Sequence, residues 1–337
     1  MARSSLGLGF VGCGGIASEM AWLVRLNPGL RIAACMSPVR EEAQSFARRF
    51  HVPRCYTDLP EMLADPGVQA VYIASPHHAH APQLHEAVLK GTPVLCEKPL
   101  VTSLEDGLEI CGLARDRGVK VAVNYQYRYD RGCHTLIEAA RAGELGEILY
   151  GTCSIPWHRE ASYYAGTWRA SAEQSGGGTL ITQGSHALDI LLAAAGGAPR
   201  RAWGSTARRR FLSIEVEDLA MGCVEMSTGC LLSVASSAVA TPERAVSIEV
   251  YGSRGTAIWS GPHHPRLRVL GARIRTHRLP VRGAHSMARS LEAFRRWVAL
   301  GEEPLTAAES TLPVLAAVRA IYAAAGTGHA TEVPRLP

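Results

Sequence analysis

The chain has 337 residues, 47% of them apolar and 19% charged, with a formal net charge of +5. That length accommodates two domains that each bury a core, and the composition excludes a disordered or fibrous chain. No apolar run reaches membrane-spanning length, since the richest (187–198) is broken by Asp189, Gly196 and Gly197; the arginines, Arg208-Arg209-Arg210 included, lack the aromatic interleaving of a nucleic-acid surface.

Over residues 1–125, short apolar runs alternate with amphipathic stretches. Strands are predicted at 6–11, 31–36, 69–74, 92–96 and 120–123, several of them apolar on both faces, as strands inside a parallel sheet are. Helices are predicted at 16–26, 40–50, 82–90 and 104–117, with Gly29, Gly91 and Gly118 as stop signals. Repeated strand–helix–strand units imply right-handed crossovers and a doubly wound parallel sheet, an α/β domain.

After residue 125 the rhythm changes. A helix at 133–142, the turn Gly143–Gly146 and a strand at 148–155 precede a loop rich in Tyr, Trp and Arg, then Gly176, Gly177 and Gly178 and a helix at 183–195. Strand-like runs at 219–226, 230–238, 245–251 and 256–259 follow without helices between them, which predicts an open, mainly antiparallel sheet. Helices at 286–300 and 307–325 complete an α+β domain over 126–337, and these closing helices are candidates to pack back on the first domain. Nine cysteines, an odd number without a CxxC pair, and an N-terminus without a signal-peptide core favour a reducing cytoplasm.

The strongest local motif is Gly12-Cys13-Gly14-Gly15-Ile16-Ala17, at the turn from the first strand into the first helix. Gly12 permits a tight turn, Gly14 lets backbone N–H groups approach a pyrophosphate, and Ala17 keeps the helix close to the sheet. Dinucleotide binding is the reading. At the end of the second strand, where NAD-binding sheets place an acid for the adenosine 2′-hydroxyl, Ser37 stands, with Arg40 three residues on. Loss of that carboxylate and gain of an Arg favour a 2′-phosphate, hence NADP over NAD.

Two further segments lie just past strands: Ser75-Pro76 through His80, and Cys96-Glu97-Lys98-Pro99. Ligands of doubly wound sheets bind at that rim, so the first reads as a loop against the cofactor and Lys98 as a group that polarises a hydroxyl or carbonyl oxygen. The spacing of the three histidines at 77, 78 and 80, without carboxylates nearby, does not make a metal site. In 176–189, a regular helix would put Thr182, His186 and Asp189 on one face beside the glycine-rich entry, which favours a pocket.

With GCGGIA, DPGVQAVYIASPHHAHAPQ, CEKP, YRYD, GELGEI and GGGTLITQGSHALD in that order over nearly the whole length, the chain resembles the glucose–fructose oxidoreductase/inositol dehydrogenase (Gfo/Idh/MocA) family. The resemblance implies a Rossmann domain followed by an α+β domain. It implies NAD(P)-dependent oxidation of a secondary alcohol, or reduction of a ketone, on a sugar, cyclitol or related polyol. Lys98 and His186 map onto the proton-handling Lys and His of the family. The cofactor contacts map onto Gly12, Gly14, Gly15, Ile16, Ala17, Ser37, Arg40, Ser75, Pro76, His80, Glu97 and Lys98. Substrate contacts map onto Lys98, Arg128, Trp168, Arg169, Thr182 and His186, in and around an aromatic and basic loop suited to a sugar.

One departure is Thr182, where many relatives carry Asp four residues before the catalytic His. Thr can hydrogen-bond but cannot neutralise an imidazolium, so Lys98 is expected to do more of the acid–base work, Thr182 to position substrate, and Asp189 to orient His186 from the other side. Two other functions share the resemblance: a redox-assisted glycosidase or lyase that recycles its nucleotide, and a non-catalytic NADP-sensing regulator. Retention of Lys98 and His186 argues against the regulator. Relatives bury the open sheet of the second domain against another subunit, so a homodimer or homotetramer is expected, without nucleic acid or membrane as partner.

Overall fold

The computed structural model describes residues 5–336. The chain forms two compact units, Met1–Tyr125 with Pro280–Ser310, and Gln126–Leu279 with Thr311–Pro337. In the first, β1 (Leu6–Val11), α1 (Gly15–Leu26), β2 (Leu30–Met36), α2 (Arg40–Phe50), β3 (Cys55–Tyr56), α3 (Leu59–Leu63), β4 (Ala70–Ile73), α4 (His80–Leu89), β5 (Val94–Cys96), α5 (Leu104–Arg117) and β6 (Val121–Val123) follow one another. The six strands lie in the order β3-β2-β1-β4-β5-β6, all parallel, the doubly wound arrangement that the alternating pattern predicts. Phe10, Phe46, Phe50 and Tyr72 pack at the centre of its core, with Phe46 and Phe50 rings 4.6 Å apart. Burial of each such side chain contributes roughly 1.5–3 kcal/mol.

Local signals explain the helix boundaries. Ser103 caps α5 by accepting from the Asp106 N–H at 3.1 Å, and Gly118 ends it in the left-handed region at φ +66°. Gly29 does not stop α1; Asn27 caps it in an extended conformation, because Pro28 follows. The pair β3 and α3 is too short to show periodicity, although Asp58 before Pro60 is an N-cap signal, and its carboxylate accepts from the Glu61 N–H at 3.1 Å.

The second unit opens with α6 (Arg131–Arg141), β7 (Ile148–Pro156), the short α7 (Ala172–Ser175) and α8 (Ser185–Ala195). Then come β8 (Pro199–Ala207), β9 (Leu219–Met226), β10 (Leu231–Ser237), β11 (Val246–Gly252), β12 (Thr256–Gly261) and β13 (Arg266–Leu270). The next helix, α9 (Ser286–Leu300), belongs to the first unit, where Asn27 donates to Glu292 at 2.9 Å and Lys120 donates to the Trp297 carbonyl at 2.7 Å. The last elements, α10 (Leu312–Thr327) and β14 (Thr331–Glu332), return to the second. Its eight strands run β13-β12-β11-β7-β10-β9-β8-β14, antiparallel except for β10 beside β7. That parallel pair arises because α7, α8 and the β8–β9 hairpin intervene between the two strands in sequence. Residues 308–311 form a 3-10 turn rather than the start of the last α-helix, which begins at Leu312 with Pro313 in its first turn.

Along β9 burial alternates strictly, with Ala220, Gly222, Val224 and Met226 facing inward and Met221 and Cys223 outward. The inner face carries α8 and α10, and the outer face is open.

Candidate active site

At the end of β1 the chain turns at Gly12, whose φ is +93°. A Cβ there would lie 2.9 Å from the Ala74 carbonyl and the Ser75 nitrogen, so the turn is pressed against the segment leaving β4 and only glycine fits. At Gly14 and Gly15, by contrast, a Cβ would meet nothing within 4 Å. The N-terminus of α1 has no side-chain cap and no acidic residue in its first turn. Its first N–H groups, the positive end of the helix dipole and the bare backbone form an open cradle for an anion, while Ala17 is fully buried against the sheet. These residues fit the pyrophosphate of a dinucleotide.

At the end of β2, Ser37 is buried; its hydroxyl donates to Glu42 Oε2 at 2.8 Å and accepts from the Val39 N–H at 3.2 Å. The strand end that lacks an acid in the sequence therefore has a carboxylate from the third residue of α2. The sequence signal was a helix with Glu at its N3 position, the place from which capping-box carboxylates reach back. Arg40 is exposed at the first residue of the same helix.

The rim beyond β4 and β5 is tied from below. Ser75 Oγ donates to Gln83 Oε1 at 2.6 Å. His80, expected among the cofactor contacts, is fully buried instead, with Nδ1 2.8 Å from the Pro99 carbonyl oxygen and Nε2 3.1 Å from that of Ser75. Glu97 is likewise turned inward, accepting from Tyr72 Oη at 2.5 Å and Asn124 Nδ2 at 2.6 Å; burial pushes its carboxyl above the usual carboxylate range. These bonds fix the backbone on either side of Lys98, which is half-buried. Pro76 precedes a 3-10 turn, 77–79, that leads directly into α4.

In the second unit, His186 is the second residue of α8 and is buried. The turn before it, Leu180–Gly184, is π-helical, so the regular helix that would align Thr182 with His186 and Asp189 is not formed. The Thr182 hydroxyl donates to the Gly178 carbonyl at 2.7 Å. Asp189, expected to orient His186, holds Arg128: Nε donates to Oδ2 at 2.8 Å and Nη2 to Oδ1 at 2.6 Å. Arg128, expected among the substrate contacts, is thus half of a buried ion pair. Its neighbour Tyr127 stacks on the His186 ring, centroids 4.9 Å apart and planes at 24°.

Two functional supports have no local sequence signal. Glu217 accepts from the Gly178 N–H at 2.7 Å, the Leu180 N–H at 3.0 Å and Tyr322 Oη at 2.8 Å; burial pushes its carboxyl up. A Cβ on Gly178 would come within 1.9 Å of the Glu217 carbonyl oxygen. The glycine run, expected as a pocket entry, thus lets the Glu217 segment that leads into β9 reach the backbone ahead of His186. On the loop before it, the Arg169 guanidinium lies 4.5 Å from the Trp168 ring centroid and 4.9 Å from that of Tyr163. Arg159 lies over Trp157 and Tyr163, at 4.7 and 5.5 Å.

Residues 6–125 match the family model described as "Oxidoreductase family, NAD-binding Rossmann fold", and residues 133–258 match the GFO/IDH/MocA C-terminal domain. The chain is 26% identical to a 1,5-anhydro-D-fructose reductase of Ensifer adhaerens over 334 residues, covering 96% of this chain and 98% of that one. It is 27% identical to a D-xylose 1-dehydrogenase (NADP(+)) of Haloferax volcanii over 309 residues, 89% and 91% of the two chains. Among solved structures, the WlbA dehydrogenase from Bordetella pertussis, in complex with NADH and UDP-GlcNAcA, superposes with a TM-score of 0.88 at 25% identity, covering 99% of this chain and all of that one. The two family matches, in the order of the two units and joined to a cradle that fits a dinucleotide, show that this chain belongs to the GFO/IDH/MocA family and is an NAD(P)-dependent oxidoreductase.

Proposed function

We propose that the chain interconverts a secondary alcohol and a ketone on a sugar, cyclitol or related polyol. The observation that carries this reading is the uncapped N-terminus of α1 behind the bare Gly14 and Gly15. The names of relatives support the substrate class: 1,5-anhydro-D-fructose reductase, D-xylose 1-dehydrogenase and scyllo-inositol 2-dehydrogenase.

In this reading Gly12, Gly14, Gly15, Ile16 and Ala17 hold the pyrophosphate, with Ser37 and Arg40 at the adenosine ribose and Ser75, Pro76 and the Glu97–Lys98 backbone at the rim. Bound nicotinamide supplies or accepts the hydride at C4. The Lys98 ammonium donates to the substrate oxygen as negative charge develops in reduction, and the neutral amine takes the hydroxyl proton in oxidation. His186 shares that proton work, and Thr182, which cannot neutralise an imidazolium, positions substrate. Trp168 covers C–H surface of the ring while Arg169 bonds hydroxyls. His80 and Arg128 act from behind this set, through the carbonyls of Ser75 and Pro99 and through Asp189. NADP stands ahead of NAD on the strength of Arg40, against which Glu42 pulls.

The same reading makes the chain a cytoplasmic homodimer or homotetramer. Its nine cysteines are all unpaired, as in a reducing compartment. Trp203, Met221 and Leu231, exposed by 38, 58 and 54%, stand on the open face of the eight-stranded sheet, a surface suited to a second copy. Light scattering showing only monomer at micromolar concentration overturns the assembly. For the activity, sugars and cyclitols are screened for formation or consumption of NADPH and NADH. Turnover with a member of that class is expected; calorimetry showing no heat with either nucleotide on folded protein overturns the reading.

A further inference from the structure

His80 is the first residue of α4, and its ring has no exposed surface. Each of its nitrogens faces a carbonyl oxygen, Nδ1 that of Pro99 at 2.8 Å and Nε2 that of Ser75 at 3.1 Å. Those carbonyls belong to the two loops that leave β4 and β5 at the rim of the sheet, one on the nucleotide side and one next in sequence to Lys98. We propose that His80 is a positioning residue that staples the Lys98 turn to the Ser75 loop, so that the proton-handling ammonium and the nucleotide-facing backbone are held in one register. The proposal rests on the role assigned to Lys98 above.

The argument is one of donors and acceptors. A neutral imidazole has one N–H and one lone pair, and both partners here are acceptors. The shorter contact takes the single proton, so Nδ1–H donates to Pro99 and the Lys98 turn is the more firmly held of the two. The Ser75 contact is complete only when the second nitrogen is also protonated. Burial favours the neutral ring and the Lys98 charge adds to that, while the carbonyls of Pro99 and Ser75 favour the charged one. Cys96 Sγ lies 3.5 Å from Nδ1 and the His77 ring centroid 5.7 Å away, and the Leu100 backbone joins the two carbonyls in favouring the charged ring. A residue serving only to fill this space needs no nitrogen; the staple needs Nδ1–H on the Pro99 carbonyl, the Ser75 loop being joined to His80 through the short 77–79 turn.

The two contacts can be tested one at a time. In His80→Asn the side-chain amide N–H sits near the Nδ1 position and retains the Pro99 bond; in His80→Gln it reaches the Nε2 position and retains the Ser75 bond. Turnover is measured with 1,5-anhydro-D-fructose and with D-xylose, and NADPH binding by nicotinamide fluorescence. His80→Gln is expected to lower kcat about ten- to hundredfold, the scale of a misplaced catalytic group, with the smaller change in NADPH Kd. His80→Asn, which keeps the Pro99 bond, is expected to lower kcat less than His80→Gln does. Equal effects of the two variants on both quantities overturn the staple. Lys98→Ala, measured beside them, separates the two readings. Wild-type turnover in Lys98→Ala removes the role of Lys98 itself, whereas an inactive Lys98→Ala with no split between the His80 variants removes only the staple. Nitrogen NMR of the wild-type imidazole gives a readout independent of the variants: a protonated Nδ1 is expected, and a bare Nδ1 overturns the proposal.

Discussion

Arg128 and Asp189 form a bidentate ion pair at 2.6 and 2.8 Å, with side chains only 11 and 2% exposed. The pair joins the turn that carries Tyr127 to α8, which carries His186, and Tyr127 stacks on His186. Removing one partner leaves a buried charge uncompensated, a loss of about 3–5 kcal/mol. Asp189→Asn is therefore expected to lower the urea midpoint strongly and to reduce turnover through the displaced Tyr127. The double variant Arg128→Met with Asp189→Leu is expected to regain stability but not full activity. A wild-type midpoint in Asp189→Asn means that the pair does not hold this turn.

Lys98→Ala is expected to reduce kcat by about 10²-fold or more, the contribution of a positioned general acid–base. Thr182→Asp introduces a carboxylate four residues before His186. The π-helical turn takes position 182 out of regular helical alignment with His186, so a pH profile of kcat/KM unchanged within error is expected, and a shift toward higher pH means that the carboxylate reaches the imidazole after all. A near-wild-type Lys98→Ala beside an inactive His186→Ala reverses the division of labour. Hydride bookkeeping belongs to the same experiment: stoichiometric NADPH change per product is expected, and product without any nucleotide change indicates redox-neutral elimination.

The opening strand at Leu6–Val11 and the helices Arg40–Phe50 and Leu104–Arg117 were legible to the residue, because each pairs an apolar period with local start or stop signals. The motifs at the sheet rim were legible too, since a glycine turn or a Lys just past a strand is a local statement. What escaped was mostly made by chain reversal: the acid that reaches Gly178 comes from Glu217, 39 residues on, whereas Glu42, which meets Ser37 five residues before it, had its signal at the N3 position of α2. That Asp189 holds Arg128, 61 residues away, has no local signal. The π-helical turn at Leu180–Gly184 escaped for another reason: its residues suit an α-helix equally well, and its first two N–H groups, of Leu180 and Ile181, are held by Glu217 and Tyr322 from distant parts of the chain.

In the proposed reading, cofactor choice turns on two side chains of one helix turn. Glu42, bonded to Ser37, would repel a 2′-phosphate, and the exposed Arg40 would attract one. Arg40→Ala is expected to lower kcat/KM for NADP about tenfold relative to NAD, the worth of one charge-assisted bond. Glu42→Gln is expected to shift the same ratio toward NADP. Ratios unchanged in both variants, or a strong NAD preference in the wild type, sink the assignment of NADP.

Glu217 supplies the pH test of the scaffold. Burial raises its carboxyl above the ordinary value of 4.5, so the folded protein holds this proton more tightly than the unfolded chain does. Its contribution to stability is accordingly complete below that ordinary value and declines as pH rises through the higher folded value. Glu217→Gln cannot titrate there. It also turns an amide N–H toward one of the three donors, Gly178 N–H, Leu180 N–H or Tyr322 Oη, and is expected to be less stable than wild type in acid. The difference should narrow from pH 4 to neutrality, because only the wild type loses stability through this group. Paired urea titrations across that range check it, with every other titrating group common to both proteins. A gap that widens with pH means that the three donors stabilise the carboxylate more than burial penalises it, and that Glu217 is ionised in the folded protein.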